Sequence, residues 1–390
     1  MKKILRIIKL AITTIVVVST LFSAFLLMSG NTYVFFLMKN TVLKGRLGPS
    51  IDEYEIFENR IVNVGQATEW TYAKNYNIAK LNSGDLKYHE KYGTAAYVVI
   101  KDDAVLFQQY WNSYSDSSHT NSWSMAKSIV SHLIGCALKD SLIGSVDDSI
   151  GKYLKEYEGS TTTIENLLTM SSGFNYDEDY MNPFSYPARS LYGDNIVQIH
   201  KRYKQVRAPG ESFDYQSANT QLLGFILMQV TGKKLSEYAS EKLWRPIGAR
   251  HPAYWSVDHK NGTEKAFCCF NSNALDFAKF GQLYLHEGIV NGDTLITPEY
   301  YQRCISPAIY LSDGDGVNMR YGFQWWTLNL EDEAVFYARG IQGQYIFVIP
   351  SKNMVVVRLG KSRPTIRIDG HPEDVYRYIK QAFEIAEISS

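Results

Sequence analysis

The pair with the clearest capacity for covalent chemistry is a serine followed three residues later by a lysine. Ser124 and Lys127 stand within Asn121-Ser122-Trp123-Ser124-Met125-Ala126-Lys127. Apolar residues at Ile129, Val130, Leu133, Ile134 and Ala137 recur behind it at helical spacing, which predicts a helix beginning at the serine. Positions i and i+3 share one helix face, so the two side chains point the same way. A serine hydroxyl is a weak nucleophile until a neighbour takes its proton, and a lysine kept neutral by burial can be that base. A place in the first turn adds the positive helix end, which favours an alkoxide. Spacing alone is weak evidence, since about one or two Ser-x-x-Lys matches arise by chance in a chain of this length. Ser149-Ile150-Gly151-Lys152 is a second match; it carries an internal glycine, follows Asp147 and Asp148, and reads as incidental. The plain alternative for Ser124 is a helix cap.

Composition narrows the chemistry. Lys+Arg and Asp+Glu are equal at 40 each, and no sustained basic patch appears, which argues against a nucleic-acid partner. The eight histidines are scattered without helix-face metal spacing, so no metal is expected. No glycine loop ending in Lys-Ser/Thr is present to cradle phosphate, and no cofactor is called for. Cys136 falls on the core face of the Ser124 helix. Adjacent Cys268 and Cys269 do not easily pair with each other, and one of them reaching Cys304 is the pairing weighed; a disulfide is not expected. The 28 tyrosines read as a tyrosine-rich sheet surface rather than a carbohydrate or peptide groove.

The elements that must hold the pair follow in order. Lys2, Lys3, Arg6 and Lys9 precede an uncharged, mainly apolar run from Leu10 to Met28, long enough at 1.5 Å per residue to approach the hydrocarbon thickness. Its length favours an uncleaved anchor over a signal peptide, and the preceding positive charge places the rest of the chain outside the cytoplasm, on the periplasmic or extracellular side, or secreted if the segment is cleaved. Tyr33 to Met38 is too short to span and is expected at the interface. Residues 40–90 lack a clear period and are expected to wrap the domain. Ala95–Ile100 and Val105–Tyr110 read as a β-hairpin, and a serine-rich loop leads from it to Ser124. Helices are predicted at Ile164–Met170, Ala218–Thr231, Ser236–Leu243, Asn273–Leu285 and Pro372–Ile385, and a long aperiodic loop spans 174–193. Strands are predicted at Gly322–Trp326, Ala334–Ala338, Gln344–Ile349 and Met354–Leu359. Strands at both ends enclosing a helical middle imply an α+β fold: an antiparallel sheet flanked by helices, with an all-helical insertion, preceded by a transmembrane helix. The expected organisation is 1–30 as anchor or signal, 31–60 as linker, 61–165 with 261–390 as the α/β part, and 166–260 as the helical part.

Taken together, these pieces resemble the serine β-lactamase-like and penicillin-binding hydrolases over roughly residues 60–385. Beyond Ser124-Met125-Ala126-Lys127, the resemblance rests on Leu167-Leu168-Thr169-Met170-Ser171-Ser172-Gly173, Phe213-Asp214-Tyr215-Gln216-Ser217, Arg245-Pro246-Ile247-Gly248, Asp276-Phe277-Ala278-Lys279-Phe280-Gly281 and Gly340-Ile341-Gln342-Gly343-Gln344. It implies a cleft between a sheet part and a helical part. Ser124 would be the acylated nucleophile, with Lys127 and Tyr215 acting as a coupled proton-transfer unit. The backbone N–H groups of Ser124 and Gln344 would form the oxyanion hole, and Ser217, Gln342 and Gly343 would support the substrate.

Two departures shape the expected activity. Where the family often has Lys-Thr-Gly, whose lysine helps hold a substrate carboxylate, this chain is read as Ile341-Gln342-Gly343, with Arg339 the nearest cation. The second element ends in Ser217 rather than asparagine. Both departures resemble the branch of 6-aminohexanoate-dimer hydrolases and carboxylesterases, which implies hydrolysis of a small-molecule ester or short amide through an acyl-enzyme. The alternatives are a penicillin-binding D-alanyl-D-alanine carboxypeptidase or β-lactamase of the same fold, and a non-catalytic anchored sensor. A broken triad expected of a sensor is not found. Substrate choice is expected to lie in residues 174–193, Tyr254-Trp255 and Trp325-Trp326.

Overall fold

The computed structural model describes residues 1–389, and the N-terminal run forms one long helix, α1 (Lys2–Met28). It is solvent-exposed along almost its whole length, with only Leu26 buried. A short helix, α2 (Tyr33–Asn40), turns from it onto the body of the protein. The wrapping segment then contributes β1 (Asn59–Val62), β2 (Thr71–Tyr72) and α3 (Ser83–Lys91), the last capped by the Asn82 side chain on Asp85 N–H at 2.9 Å.

The expected hairpin is present as β3 (Thr94–Lys101) and β4 (Ala104–Tyr110), and a two-residue strand, β5 (Thr120–Asn121), follows. The Ser124 helix starts two residues later than its pattern suggested. Trp123–Met125 form a 3₁₀ turn, and α4 runs from Ala126 to Lys139. The helical part holds α5 (Ile164–Leu168), α6 (Tyr186–Tyr192) and α7 (Ser217–Thr231). The chain returns through β6 (Ala253–Ser256), β7 (Phe270–Ser272) and α8 (Ala274–Leu285). The C-terminal third supplies β8 (Trp326–Leu330), β9 (Glu333–Gly340), β10 (Gln344–Ile349), β11 (Met354–Gly360) and α9 (Glu373–Ile388). The strand expected over Gly322–Trp326 begins only at Trp326, because Gln324 sits at positive φ and spends its side chain on helix carbonyls at Leu167 and Leu168.

One seven-stranded sheet carries both ends of the domain, in the order β8-β9-β10-β11-β3-β4-β2. Its pairs are antiparallel except β2 with β4. Central strands that read as apolar runs, such as Val98-Val99-Ile100 and Val355-Val356-Val357, are buried on both faces. One face packs against α4 and α8, the other against α9. A second, four-stranded sheet, β1-β6-β7-β5, had no clear signal in the sequence; its strands are two to four residues long and join segments far apart in the chain.

Arg358 on β11 is fully buried beneath the turn between β9 and β10. Its guanidinium donates to Gln342 O (2.9 Å), Gly343 O (2.8 Å), Ser362 O (3.2 Å) and Tyr92 O (2.9 Å), and to Thr94 Oγ1. A Cβ at Gly343 would lie 2.2 Å from Arg358 Nη1, so glycine there makes room for the guanidinium as well as meeting a φ of +83°. A buried charge is tolerable when its donors are satisfied in this way.

Four buried histidines carry an acid liability. Burial pushes His89, His200 and His371 down to about 3 and His132 down to about 4; nearby arginines add to the effect at His89 and His371. Between pH ~6.5 and those values the unfolded chain binds protons that the folded chain does not. Stability therefore falls as pH falls through that window, by up to ~1.4 kcal/mol per pH unit for each histidine. Urea unfolding of the full chain in mild detergent should show a midpoint that drops steadily from neutral pH to about 4.5. A flat midpoint over that range would contradict the burial of these rings as neutral imidazoles.

Candidate active site

Ser124 sits in the turn that joins β5 to α4, and the local backbone is unusual. Trp123, immediately before it, has φ 45°, a left-handed conformation that an indole-bearing residue rarely adopts. Asn121 Oδ1 accepts the Trp123 N–H at 2.8 Å, and the Ser122 N–H donates to Phe270 O at 3.0 Å, which pins the turn from both sides. Gly340 packs directly on it. A Cβ there would lie 2.4 Å from Ser122 O and 3.0 Å from Trp123 Cβ. The end of β9 thus abuts the serine only because that residue has no side chain.

Lys127, one turn on, is buried and reaches three acceptors. Its Nζ lies 3.0 Å from Ser124 Oγ, 3.0 Å from Ser217 Oγ and 2.9 Å from Phe267 O. Those acceptors come from the serine turn, the start of α7 and the segment before β7. Three hydrogen-bond partners thus surround the one buried amine. Tyr215 and Phe267 close the sides, their ring centroids 5.2 Å and 5.8 Å from Nζ. Tyr215 is itself held by Trp326 (5.6 Å between centroids) and Tyr321 (6.0 Å). Ser124 and Ser217 therefore meet at Lys127, with the Tyr215 ring beside the amine.

One member of the cluster was not singled out from the sequence. The stretch expected as a loop over 174–193 ends in α6, and Glu178, in the irregular part ahead of that helix, accepts the Ser217 hydroxyl at 2.5 Å, the Ser217 N–H at 2.8 Å and the Tyr180 hydroxyl at 2.6 Å. It extends a line of hydrogen bonds, Glu178–Ser217–Lys127–Ser124, to the candidate nucleophile. A carboxylate on the far side of Ser217 orients that hydroxyl oxygen toward Lys127. The only available signal was its place in a loop too long to be a plain connection.

The turn after β9 is held by its own side chains. Gln342, at φ 63°, accepts the Trp123 indole N–H (3.0 Å) and donates to Pro49 O (2.7 Å), so its amide bridges the serine turn and the segment following α2. Gly343 faces Arg358. Gln344 turns its side chain into the sheet, donating to Gly360 O at 2.6 Å and accepting Gly360 N–H at 3.0 Å. Ile341 is the member of this turn that lines the cavity beside Ser124. Arg339 sits over Trp326, its guanidinium carbon 3.2 Å from the ring centroid, and is not among the residues that line that cavity. Of the aromatic pairs, Trp255 and Trp325 are core residues, Tyr254 stacks on Tyr54, and Trp326 alone supports the site.

The cysteine expectation is overturned. Cys268 and Cys269 are joined to each other, and Cys304 is a free, buried thiol. Cys269 takes a left-handed backbone (φ 66°), which turns the two neighbouring side chains toward one another. Cys268 adjoins the Lys127 acceptor Phe267 and lines the Ser124 cavity.

A serine at a strained turn, hydrogen-bonded to a buried amine and flanked by a tyrosine, can attack an acyl carbon and shuttle the protons. Comparisons with known proteins point the same way. A family model described as Beta-lactamase matches residues 85–375. The chain is 25% identical over 285 residues to the 6-aminohexanoate-dimer hydrolase of Paenarthrobacter ureafaciens, covering 68% of this chain and 72% of that protein. Its fold matches a solved structure described as "Putative 6-aminohexanoate-dimer hydrolase from Bacillus anthracis", with TM-score 0.72 and 22% identity over 87% of this chain and 92% of that one. It also matches the octameric penicillin-binding protein homologue from Pyrococcus abyssi, with TM-score 0.62 and 20% identity over 80% and 78% of the two chains.

The Glu178 contact is directly testable. Glu178→Gln keeps the shape and removes the charge, forfeiting a charge-assisted hydrogen bond of ~1.5–3 kcal/mol, or about 10- to 100-fold in rate. Acylation of the protein by p-nitrophenyl acetate should slow by that factor in stopped-flow measurements. An unchanged rate would mean that Glu178 does not act on Lys127 through Ser217.

Proposed function

The chain belongs to the beta-lactamase family, and from that premise we propose that it is a serine hydrolase that cleaves an ester or short amide through an acyl-enzyme on Ser124. The observation that carries the reading is the convergence of Ser124, Ser217 and Phe267 O on the single buried amine of Lys127, with Tyr215 alongside.

In the proposed cycle Lys127 and Tyr215 act as one unit that receives the Ser124 proton as Oγ attacks the carbonyl carbon. Negative charge then develops on the carbonyl oxygen. It is met by the Ser124 N–H and by a backbone N–H of the turn running from the cavity-lining Ile341 to Gln344. Tyr215 returns the proton to the leaving alcohol or amine as the C–O or C–N bond breaks. Water repeats the sequence against the acyl-enzyme and frees the acid. Ser217, oriented by Glu178, keeps Lys127 in place through both halves.

The cavity supports an uncharged acyl group over a carboxylate-bearing one. Ile341 lines it, and the Gln342 amide is committed to Trp123 and Pro49. This separates the reading from a β-lactamase or D-alanyl-D-alanine carboxypeptidase, whose substrates carry a carboxylate that such sites hold with a cation. The intact Ser124–Lys127–Tyr215 cluster weighs against a non-catalytic sensor.

We further propose that α1 anchors the enzyme in a membrane with the catalytic domain outside the cytoplasm. Its support is the exposed, apolar length of α1 and the four basic residues in its first nine positions. A paired Cys268–Cys269 fits an oxidising compartment.

The test compares full-length wild type and Ser124→Ala in detergent, with p-nitrophenyl butyrate and, separately, a fluorescent penicillin. Turnover should fall at least ~1000-fold in Ser124→Ala, and no penicillin adduct should form. A stable adduct on wild type would move the protein to the cell-wall class, and equal turnover by both proteins would remove Ser124 from the mechanism.

A further inference from the structure

The Ser124 cavity, ≈ 140 Å³, is walled on one side by residues that precede the sheet and the helical part in the chain. Leu37, Thr41, Leu47 and Pro49 come from α2 and the segment after it, which follow directly from the membrane-type helix. The opposite wall comes from the irregular stretch ahead of α6, through Met181 and Pro183. That second wall also touches the long helix. Phe25, three residues from the end of α1, meets Phe184 edge-on at 6.1 Å between centroids, and the Tyr33 hydroxyl donates to Pro183 O at 2.8 Å. Both walls are therefore tied to the point where α1 leaves the protein.

The rim is apolar and exposed. Leu47 keeps 91% of its surface in solvent, Met181 79% and Leu43 76%. Exposed residues of this kind, contiguous with a membrane-type helix, are positioned to lie in the headgroup and upper acyl region of a bilayer. Among the described residues, none that lines the cavity carries a charged side chain. The strap is also fixed rather than loose: Pro49 O accepts from Gln342, and Ile51 O accepts the Asn121 N–H at 2.9 Å.

We propose that the acyl donor is a carboxylic ester of a membrane lipid, whose fatty chain reaches Ser124 from the bilayer between the 41–49 strap and the 180–183 loop. The inference rests on the hydrolase reading above and names its substrate class. Ser124 Oγ forms a bond to the lipid's acyl carbon, and the C–O bond to its alcohol breaks. The alcohol departs with the proton, and water then releases the fatty acid. Each methylene withdrawn from water strengthens binding about fourfold, so chain length is the natural readout.

The full-length protein would be reconstituted into dioleoylphosphatidylcholine vesicles, and hydrolysis of 4-methylumbelliferyl acetate and oleate followed in wild type, Ser124→Ala, Leu47→Asp and Met181→Asp. Release of oleic acid from 1,2-dioleoylglycerol placed in the same vesicles would be measured in parallel. Wild type should prefer oleate over acetate at least tenfold in kcat/KM and release oleic acid. Leu47→Asp and Met181→Asp, both surface changes, should each cut that preference at least fivefold. Ser124-dependent acetate hydrolysis without preference for oleate, or a preference that neither aspartate alters, overturns the lipid proposal and leaves the hydrolase reading standing. Failure to hydrolyse any ester overturns the lipid proposal, and the same failure with short p-nitroanilide amides overturns the hydrolase reading as well.

Discussion

One buried amine organises this protein. Lys127 has left water, and a lysine does so at a cost that only well-placed acceptors offset. Its three acceptors lie on three segments, the farthest of them 140 residues along the chain from Lys127 itself. Satisfying them forces the serine turn, the head of α7 and the approach to β7 to a common point. The arrangement of the candidate site and the docking of the helical part on the sheet part are thus one constraint. A loosening of either would strand a buried donor.

The sheet serves that point from behind. Arg358 holds the carbonyls of Gln342 and Gly343, so the turn after β9 has a fixed height against the serine turn. Gly340 allows those two backbones to touch. Gln342 then carries the link outward to Pro49, tying the segment after α2 into the same assembly. A chain of contacts runs from the sheet core past the candidate site to the segment after α2, and each of these links is a hydrogen bond or a close backbone approach.

Much of this was legible in the sequence where the signal is local. The Ser124–Lys127 spacing, the 95–110 hairpin, the stripe over 217–231 and the C-terminal strands each carry their own periodicity, and each is found within a few residues of its expected bounds. What the sequence hid is what distant segments make together. The four-stranded sheet joins β1 to β6 across some two hundred residues, and strands that short have no pattern to read. Glu178 looked like one acid among several in an aperiodic loop until Ser217 gave it a partner. The Cys268–Cys269 pair depends on a left-handed φ at Cys269, which no local composition announces. The strap over the cavity is visible only once residues 37–49 are seen beside Ser124.

The central claim is that Ser124 is a nucleophile made reactive by Lys127. Peptide mapping after treatment with a fluorophosphonate tests it most directly, because the reagent marks activated serines and needs no knowledge of the substrate. The account predicts a single phosphonylated peptide containing Ser124 in wild type, and little or no modification in Lys127→Met under the same conditions. Modification of another serine, or equal modification of Ser124 in both proteins, would contradict it.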